Sequence, residues 1–202
     1  MDPRMHAGRA RPGRGPAAGF TLVEFLVAMS VLAIVSVTAL PSFEDFRARQ
    51  RLRSAADNLY TDLQYARSEA VQRNARLTVS FATGGGWCYG IVEGTDACDC
   101  TETDPDAGDY CAIKRAHNIP ADGVREDFPG VSVSSASFDG SASYRIDPRR
   151  GQVLDAAGDP VEGSILLAGA ASRSVRADVN AIGRVRLCSP DGTVTGYPTC
   201  PE

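Results

Sequence analysis

Gly19-Phe20-Thr21-Leu22-Val23-Glu24-Phe25-Leu26-Val27-Ala28 opens a run that, Glu24 excepted, carries no charge until Pro41 follows Leu40. Wound as an α-helix, Thr21 to Leu40 spans roughly 30 Å at about 1.5 Å per residue, enough to cross the hydrocarbon core of a bilayer. A carboxylate near the start of such a helix is costly in lipid and needs a partner. The nearest group that would serve is a free amine at Phe20, released by a cut after Gly19. The plainer alternative is an ordinary single-pass anchor in which Glu24 is incidental.

These residues resemble the cleavage site of type IV prepilins, Gly-Phe-Thr-Leu-x-Glu. The resemblance implies a prepilin peptidase that cuts between Gly19 and Phe20 and methylates the new amino terminus. It also implies that Glu24 neutralises the amine of a neighbouring subunit during assembly. The expected location follows: inner membrane with the globular domain in the periplasm, then a fibre at the cell surface among major and minor pilins. The leader, 1–19, carries Arg4, Arg9, Arg11 and Arg14 against Asp2 and has no apolar core, unlike a conventional secretory signal. Its positive charge holds it on the cytoplasmic side. Met5 offers a second start.

The 202 residues suit one anchor and one globular domain. The whole chain has a formal charge of −4, and removing the +3 leader leaves the mature chain at −7. Such a protein is a poor general ligand for nucleic acid, so any such function must rest on a local basic patch. The six cysteines, Cys88, Cys98, Cys100, Cys111, Cys188 and Cys200, point in an exported domain to disulfides. A metal site on Cys98-x-Cys100 is the rival. It has only His117 to draw on after processing, and the spacing is not a zinc pattern. Neither a metal nor a cofactor is expected.

Pro41 should kink the helix without ending it. Beyond it Leu52, Ala56, Leu59, Leu63, Ala66 and Ala70 recur three or four residues apart and share a face. Arg53, Asp57, Asp62, Arg67 and Glu69 fall largely elsewhere. The helix is therefore expected to reach about Asn74, with 20–40 in the membrane and 41–75 packed on the domain. Arg47, Arg49, Arg51 and Arg53 are expected in solvent or among lipid headgroups. From Leu77 onward, β-prone runs lie between turn residues: Leu77–Ala82, Trp87–Val92, Val131–Phe138, Ser143–Ile146, Gln152–Leu154, Ser164–Leu167, Ser174–Val179 and Arg184–Cys188. The fold class is α+β: a type IV pilin-like long helix laid on an antiparallel sheet domain over 76–202.

Within that domain 94–111 reads as an acidic, cysteine-rich loop. Its carboxylates, from Asp96 to Asp109, raise the alternative of a Ca²⁺ site, but Asp104-Pro105-Asp106 does not match EF-hand spacing. Cys88, Cys98, Cys100 and Cys111 allow three pairings, which the sequence leaves open. Cys188 and Cys200 bracket a Pro- and Gly-containing loop, 188–200, and are the expected pair.

Two units place arginines beside a Gly turn. One is Tyr144 to Val153, with Arg149 and Arg150. The other is Arg173 to Cys188, with Arg173, Arg176, Arg184 and Arg186. Asn180 to Gly183 reads as a β-turn, after which period two sets Arg184 and Arg186 on one face, about 7 Å apart. Two guanidinium forks at that spacing match neighbouring phosphates on a nucleic-acid strand.

Here the chain resembles the FimT/GspH family of minor pilins and pseudopilins. FimT-type minor pilins carry Gly-Arg-x-Arg near the C-terminus, matched by Gly183-Arg184-Val185-Arg186, then a Cys-Ser-Pro step, matched by Cys188-Ser189-Pro190. The resemblance implies DNA capture for natural transformation, by contacts with phosphates rather than bases, with Arg173, Arg176, Arg149 and Arg150 as auxiliaries. The acidic insert matches no motif of that family. Three alternatives stand beside this reading. In the first the arginines merely decorate an exposed strand; in the second the chain is a minor pseudopilin of a type II secretion system, binding only protein; in the third it is an anchored periplasmic enzyme. The sequence offers no Gly-x-Ser-x-Gly, HExxH or phosphate loop for the last, and His117 beside Arg115 and Asn118 makes no triad.

Overall fold

Thr21 starts the long helix α1, Leu22–Arg73, by accepting the Glu24 backbone N–H on its Oγ1 at 3.2 Å. A Thr followed three residues later by Glu is a strong N-terminal signal, and the carboxylate sits at the positive end of the helix dipole. The computed structural model describes residues 19–84, 86–117 and 128–201, without the side chains of 37–42 and 117. Nearly all of the expected leader, and the side chains of Pro41 and His117, therefore lie outside the described residues. The helical backbone runs on through Pro41 and ends at Arg73. Asn74 closes it with φ +49°: its N–H bonds Val71 O at 3.3 Å, and that of Ala75 bonds Ala70 O at 3.2 Å. This pair of bonds satisfies the last helical carbonyls, with Asn in the place that Gly most often takes.

The chain divides into two units, Met1–Ser42 and Phe43–Glu202. In the first, Phe20, Leu22, Phe25, Leu32 and Ile34 are all exposed. Among the described residues no helix is both long and apolar enough to cross a membrane. The span expected over 20–40 ends on residues whose side chains are not described.

In the second unit Leu52, Ala56, Leu59, Leu63, Ala66 and Ala70 are all buried, forming the face that their spacing set out. Against them lie nine strands in two antiparallel sheets. One sheet contains β1 (Leu77–Ala82), β2 (Cys88–Glu93), β3 (Lys114–His117), β5 (Ser143–Ile146) and β6 (Val153–Leu154), in the order β3-β2-β1-β5-β6. The other contains β4 (Ser132–Phe138), β7 (Gly163–Ala168), β8 (Ser174–Val179) and β9 (Val185–Cys188), in the order β4-β7-β8-β9. The expected single sheet is thus divided. After β4 the chain returns to pair β5 with β1, Leu77 facing Ile146, while β4 pairs with β7. Core residues come from both sheets, among them Val79, Ile91, Val133, Ile165, Leu167 and Val175. Burying each such side chain contributes about 1.5–3 kcal/mol relative to exposure.

Three expectations about α1 and the strands are corrected. Asp62 is buried at 4% exposure, accepting the Tyr89 hydroxyl at 2.8 Å and pairing with Lys114 Nζ at 2.5 Å. Arg49, Arg51 and Arg53 are not simply solvated. Arg49 pairs with Asp45 at 2.5 Å, Arg51 donates to Pro129 O at 3.0 Å, and Arg53 donates to Thr195 Oγ1 at 2.8 Å. They fasten the helix, directly or through Asp45, to the loops of the domain. Lastly, β3 was not expected as a strand.

The insert is held covalently at both ends: Cys88 is bonded to Cys100 and Cys98 to Cys111. A methyl on Gly90 would lie 2.1 Å from Cys111 Sγ, so no larger residue fits beneath that bridge. The Arg115 guanidinium stacks 4.5 Å from the Tyr110 ring centroid and donates to Glu102 O. Asp99 accepts from both the N–H and the hydroxyl of Thr101, which hold its carboxyl below its ordinary range. Glu102 and Asp104 likewise accept from backbone N–H groups of the loop. Among the described residues no group of three His, Cys, Asp or Glu side chains is placed to hold a metal ion.

Candidate nucleic-acid interface

The turn from β8 to β9 is built by Asn180. Its backbone carbonyl accepts from Gly183 N–H at 2.8 Å, and its Oδ1 accepts from Arg184 N–H at 2.8 Å. Gly183 has φ +79°, a conformation that side chains with a Cβ resist, and a methyl there would stand 2.4 Å from Gly151 O. The second Gly turn therefore docks on the first. Val153 N–H bonds Ala181 O at 2.9 Å, and the Arg67 side chain from α1 packs against both Gly151 and Gly183. Asp147 shapes that first turn by accepting from the Arg149 and Arg150 N–H groups at 3.0 and 2.9 Å. Both arginine side chains are exposed.

Beyond Gly183 the exposed Arg184 and Arg186 alternate with buried Val185. Strand β9 is an edge strand, so the pair stands at the margin of its sheet. With Arg176 they line a shallow concavity of about 660 Å³, shared with Asp139, Glu162 and Asp178. Three guanidiniums thus face three carboxylates. Arg176 is already engaged: Nε lies 2.7 Å from Asp178 Oδ1, Nη2 donates to Oδ2 at 3.2 Å, and Nη2 also donates to Pro201 O at 3.2 Å. Among the described residues neither Arg184 nor Arg186 makes an ion pair.

Arg173 is placed elsewhere. Its side chain is only 17% exposed and pairs with Asp45 of α1 at 2.7 Å. Arg173, then Arg49, holds the Asp45 carboxyl below its ordinary value against the opposing effect of desolvation. Arg173 thus pins the helix to the loop before β8 and lines no part of the concavity.

The loop after β9 is closed by the Cys188–Cys200 disulfide, with a sequence separation of 12. Ser189 N–H bonds Pro198 O at 2.8 Å, and the loop reaches α1 through the Tyr197 hydroxyl, which donates to Asp57 at 2.8 Å.

Residues 55–183 match the family described as Type II transport protein GspH. The chain belongs to the GspH family. Residues 14–40 match the prokaryotic N-terminal methylation motif. The protein is accordingly a minor pilin or pseudopilin, a structural subunit of a type IV pilus or a type II secretion system. Among solved structures it is similar to the type IV minor pilin FimU of Pseudomonas aeruginosa in two crystal forms. One is 19% identical, covering 70% of this chain and 91% of that chain with a TM-score of 0.43. The other is 17% identical, covering 67% and 91%, also at 0.43. No curated protein matches.

The GspH-family match ends at Gly183, so Arg184, Arg186 and the C-terminal disulfide follow it directly. Sequence reasoning passed over Arg67, whose packing on two glycines appears only in three dimensions, and the carboxylates of the concavity. Asp178 was within reach, since it lies two residues from Arg176 on one strand face. Asp139 and Glu162 join it only through the pairing of β4 with β7.

Proposed function

We propose that this GspH-family subunit is a minor pilin of a type IV pilus that binds DNA non-specifically, for uptake in natural transformation or during pilus assembly. The observation that carries the reading is the exposed couple Arg184, in the turn before edge strand β9, and Arg186, within it, which line one concavity and make no ion pair among the described residues. Arg176 stands in the same concavity, and Arg149 and Arg150 lie on the adjoining turn. Phosphate contacts supply affinity without reading bases. Upstream, a prepilin peptidase cuts between Gly19 and Phe20 and methylates Phe20. Glu24 then pairs with the amine of a neighbouring subunit as the chain leaves the inner membrane for the fibre.

The test is duplex-DNA binding by the full chain in detergent, wild type beside Arg184→Ala/Arg186→Ala, across a salt series. Wild type should bind with Kd on the order of 10 µM at low salt, weakening by about 1.8 log units per log unit of salt for two phosphate contacts. The double variant should lose most of that binding. Equal binding by a folded double variant would remove these arginines from the site.

A second reading, a pseudopilin of a type II secretion system, is favoured by the match to the family of Type II transport protein GspH. It requires co-purification with the other subunits of that system and no DNA binding even at low salt.

A further inference from the structure

We infer that Asp178 is an internal competitor at the DNA site, occupying the Arg176 guanidinium and keeping it from a backbone phosphate. The inference rests on the DNA-binding reading and adds the group that sets its strength.

The geometry is that of a ligand already bound. Arg176 is ion-paired to one carboxylate: Nη2 donates to Asp178 Oδ2 at 3.2 Å, and Nε lies 2.7 Å from Oδ1 without a hydrogen bond to it. The same guanidinium edge is what an arginine turns to a phosphate, so the carboxylate stands where the phosphate would. The side chains are 31% and 30% exposed, so a strand of DNA can approach them, with Arg176 Nε itself buried. The burial pattern of β8 explains why both face outward: Val175, Ala177 and Val179 are buried, and Arg176 and Asp178 take the alternate positions. Asp178 also stands directly across from Arg186 in the β8–β9 register. One carboxylate therefore lies between the cation of β8 and one of the two on the β9 side. The bond from Arg176 Nη2 to Pro201 O keeps the guanidinium oriented when its partner is exchanged.

A phosphodiester and a carboxylate carry the same charge. Replacing one by the other on Arg176 therefore gains little, while the displaced Asp178 remains beside the incoming strand and repels it. Arg176 contributes almost nothing to wild-type affinity, and the salt dependence counts only Arg184 and Arg186.

The experiment measures fluorescence anisotropy of a labelled DNA duplex with the full-length protein in detergent, over a salt series. Asp178→Asn is expected to tighten binding about 3- to 10-fold at the lowest salt. It should also steepen the salt slope by about 0.9, the increment for one further phosphate contact. Adding Arg176→Gln should cancel both gains. Asp178→Ser, which has no amide, must reproduce the gain, guarding against a local effect of Asn. Glu162→Gln removes a carboxylate from the same concavity without freeing Arg176 and should change affinity less than about 2-fold, with no change in slope. If wild type binds while both Asp178 variants bind no better, the competitor is refuted and the DNA site stands. A gain from Glu162→Gln equal to that from Asp178→Asn also refutes it. If neither wild type nor Asp178→Asn binds at any salt, the DNA site itself falls, and the competitor with it.

Discussion

Gly183 carries two constraints at once, a left-handed backbone and a carbonyl oxygen 2.4 Å from where a methyl would go. Gly183→Ala is expected to destabilise the domain by about 2–3 kcal/mol, through backbone strain and displacement of the Gly151 turn. The check is a lower urea midpoint at unchanged slope and, under the proposed DNA-binding function, weaker binding as Arg184 leaves its Asn180-held position. Unchanged stability would show that the two turns can separate freely. Part of this was readable beforehand: Asn180 and Gly183 at the ends of four residues announce a turn by their chemistry. The reason Gly is needed was not readable, because Arg67 and Gly151 are distant in sequence. Asp62 is a different case. It lies three residues after Leu59 and four before Ala66, so helical period alone puts it beside the apolar face. Its charge argued it outward, and the Tyr89 hydroxyl and Lys114 bring it in.

At the scale of elements, α1 and the closing loop meet through Tyr197 and Asp57. Burial first, then the hydrogen bond to Asp57, raises the Tyr197 phenol well above its ordinary value of 10.0, with Arg53 acting in the opposite sense. In the unfolded chain the phenol ionises near 10; in the folded chain it keeps its proton above that pH. Stability is therefore full below about pH 10 and declines as pH rises beyond it. Tyr144, fully buried, shifts in the same direction by desolvation and adds to the decline. Tyr197→Phe should flatten part of the fall in Tm between about pH 9 and about pH 11.5; parallel curves would dissociate Tyr197 from it. The elements themselves were largely legible, because apolar residues at period 3.6 and β-prone runs at period two are local signals. Strand β3, Lys-Arg-Ala-His, was not: it has no β-branched residue and is made a strand by pairing with β2, Gly90 facing Arg115. The division into two sheets was equally hidden. It depends on β5 choosing β1, more than sixty residues upstream, over its neighbour β4.

For the whole molecule, three disulfides close loops with sequence separations of 12 or 13. Loops of that size contribute about 3 kcal/mol each in the chain-entropy account. Cys188→Ser/Cys200→Ser should lower unfolding stability by about that amount while leaving the two insert bridges intact, as an oxidised-state urea titration would show. No loss would mean that the loop is held by its hydrogen bonds alone. The pairing within the insert was beyond sequence, since four neighbouring cysteines allow three connectivities and only the fold brings Cys88 to Cys100. The C-terminal bridge has a mechanical consequence as well. A pull applied at Arg184 and Arg186 enters an edge strand, the kind most easily peeled from a sheet. Here the tension has two parallel routes into α1. One runs through the β8–β9 ladder. The other crosses the covalent link to residue 200 and then the Tyr197–Asp57 and Arg53–Thr195 bonds. Peeling β9 away must defeat both, so the margin that faces outward is also tethered to the helix that would anchor the subunit in a fibre.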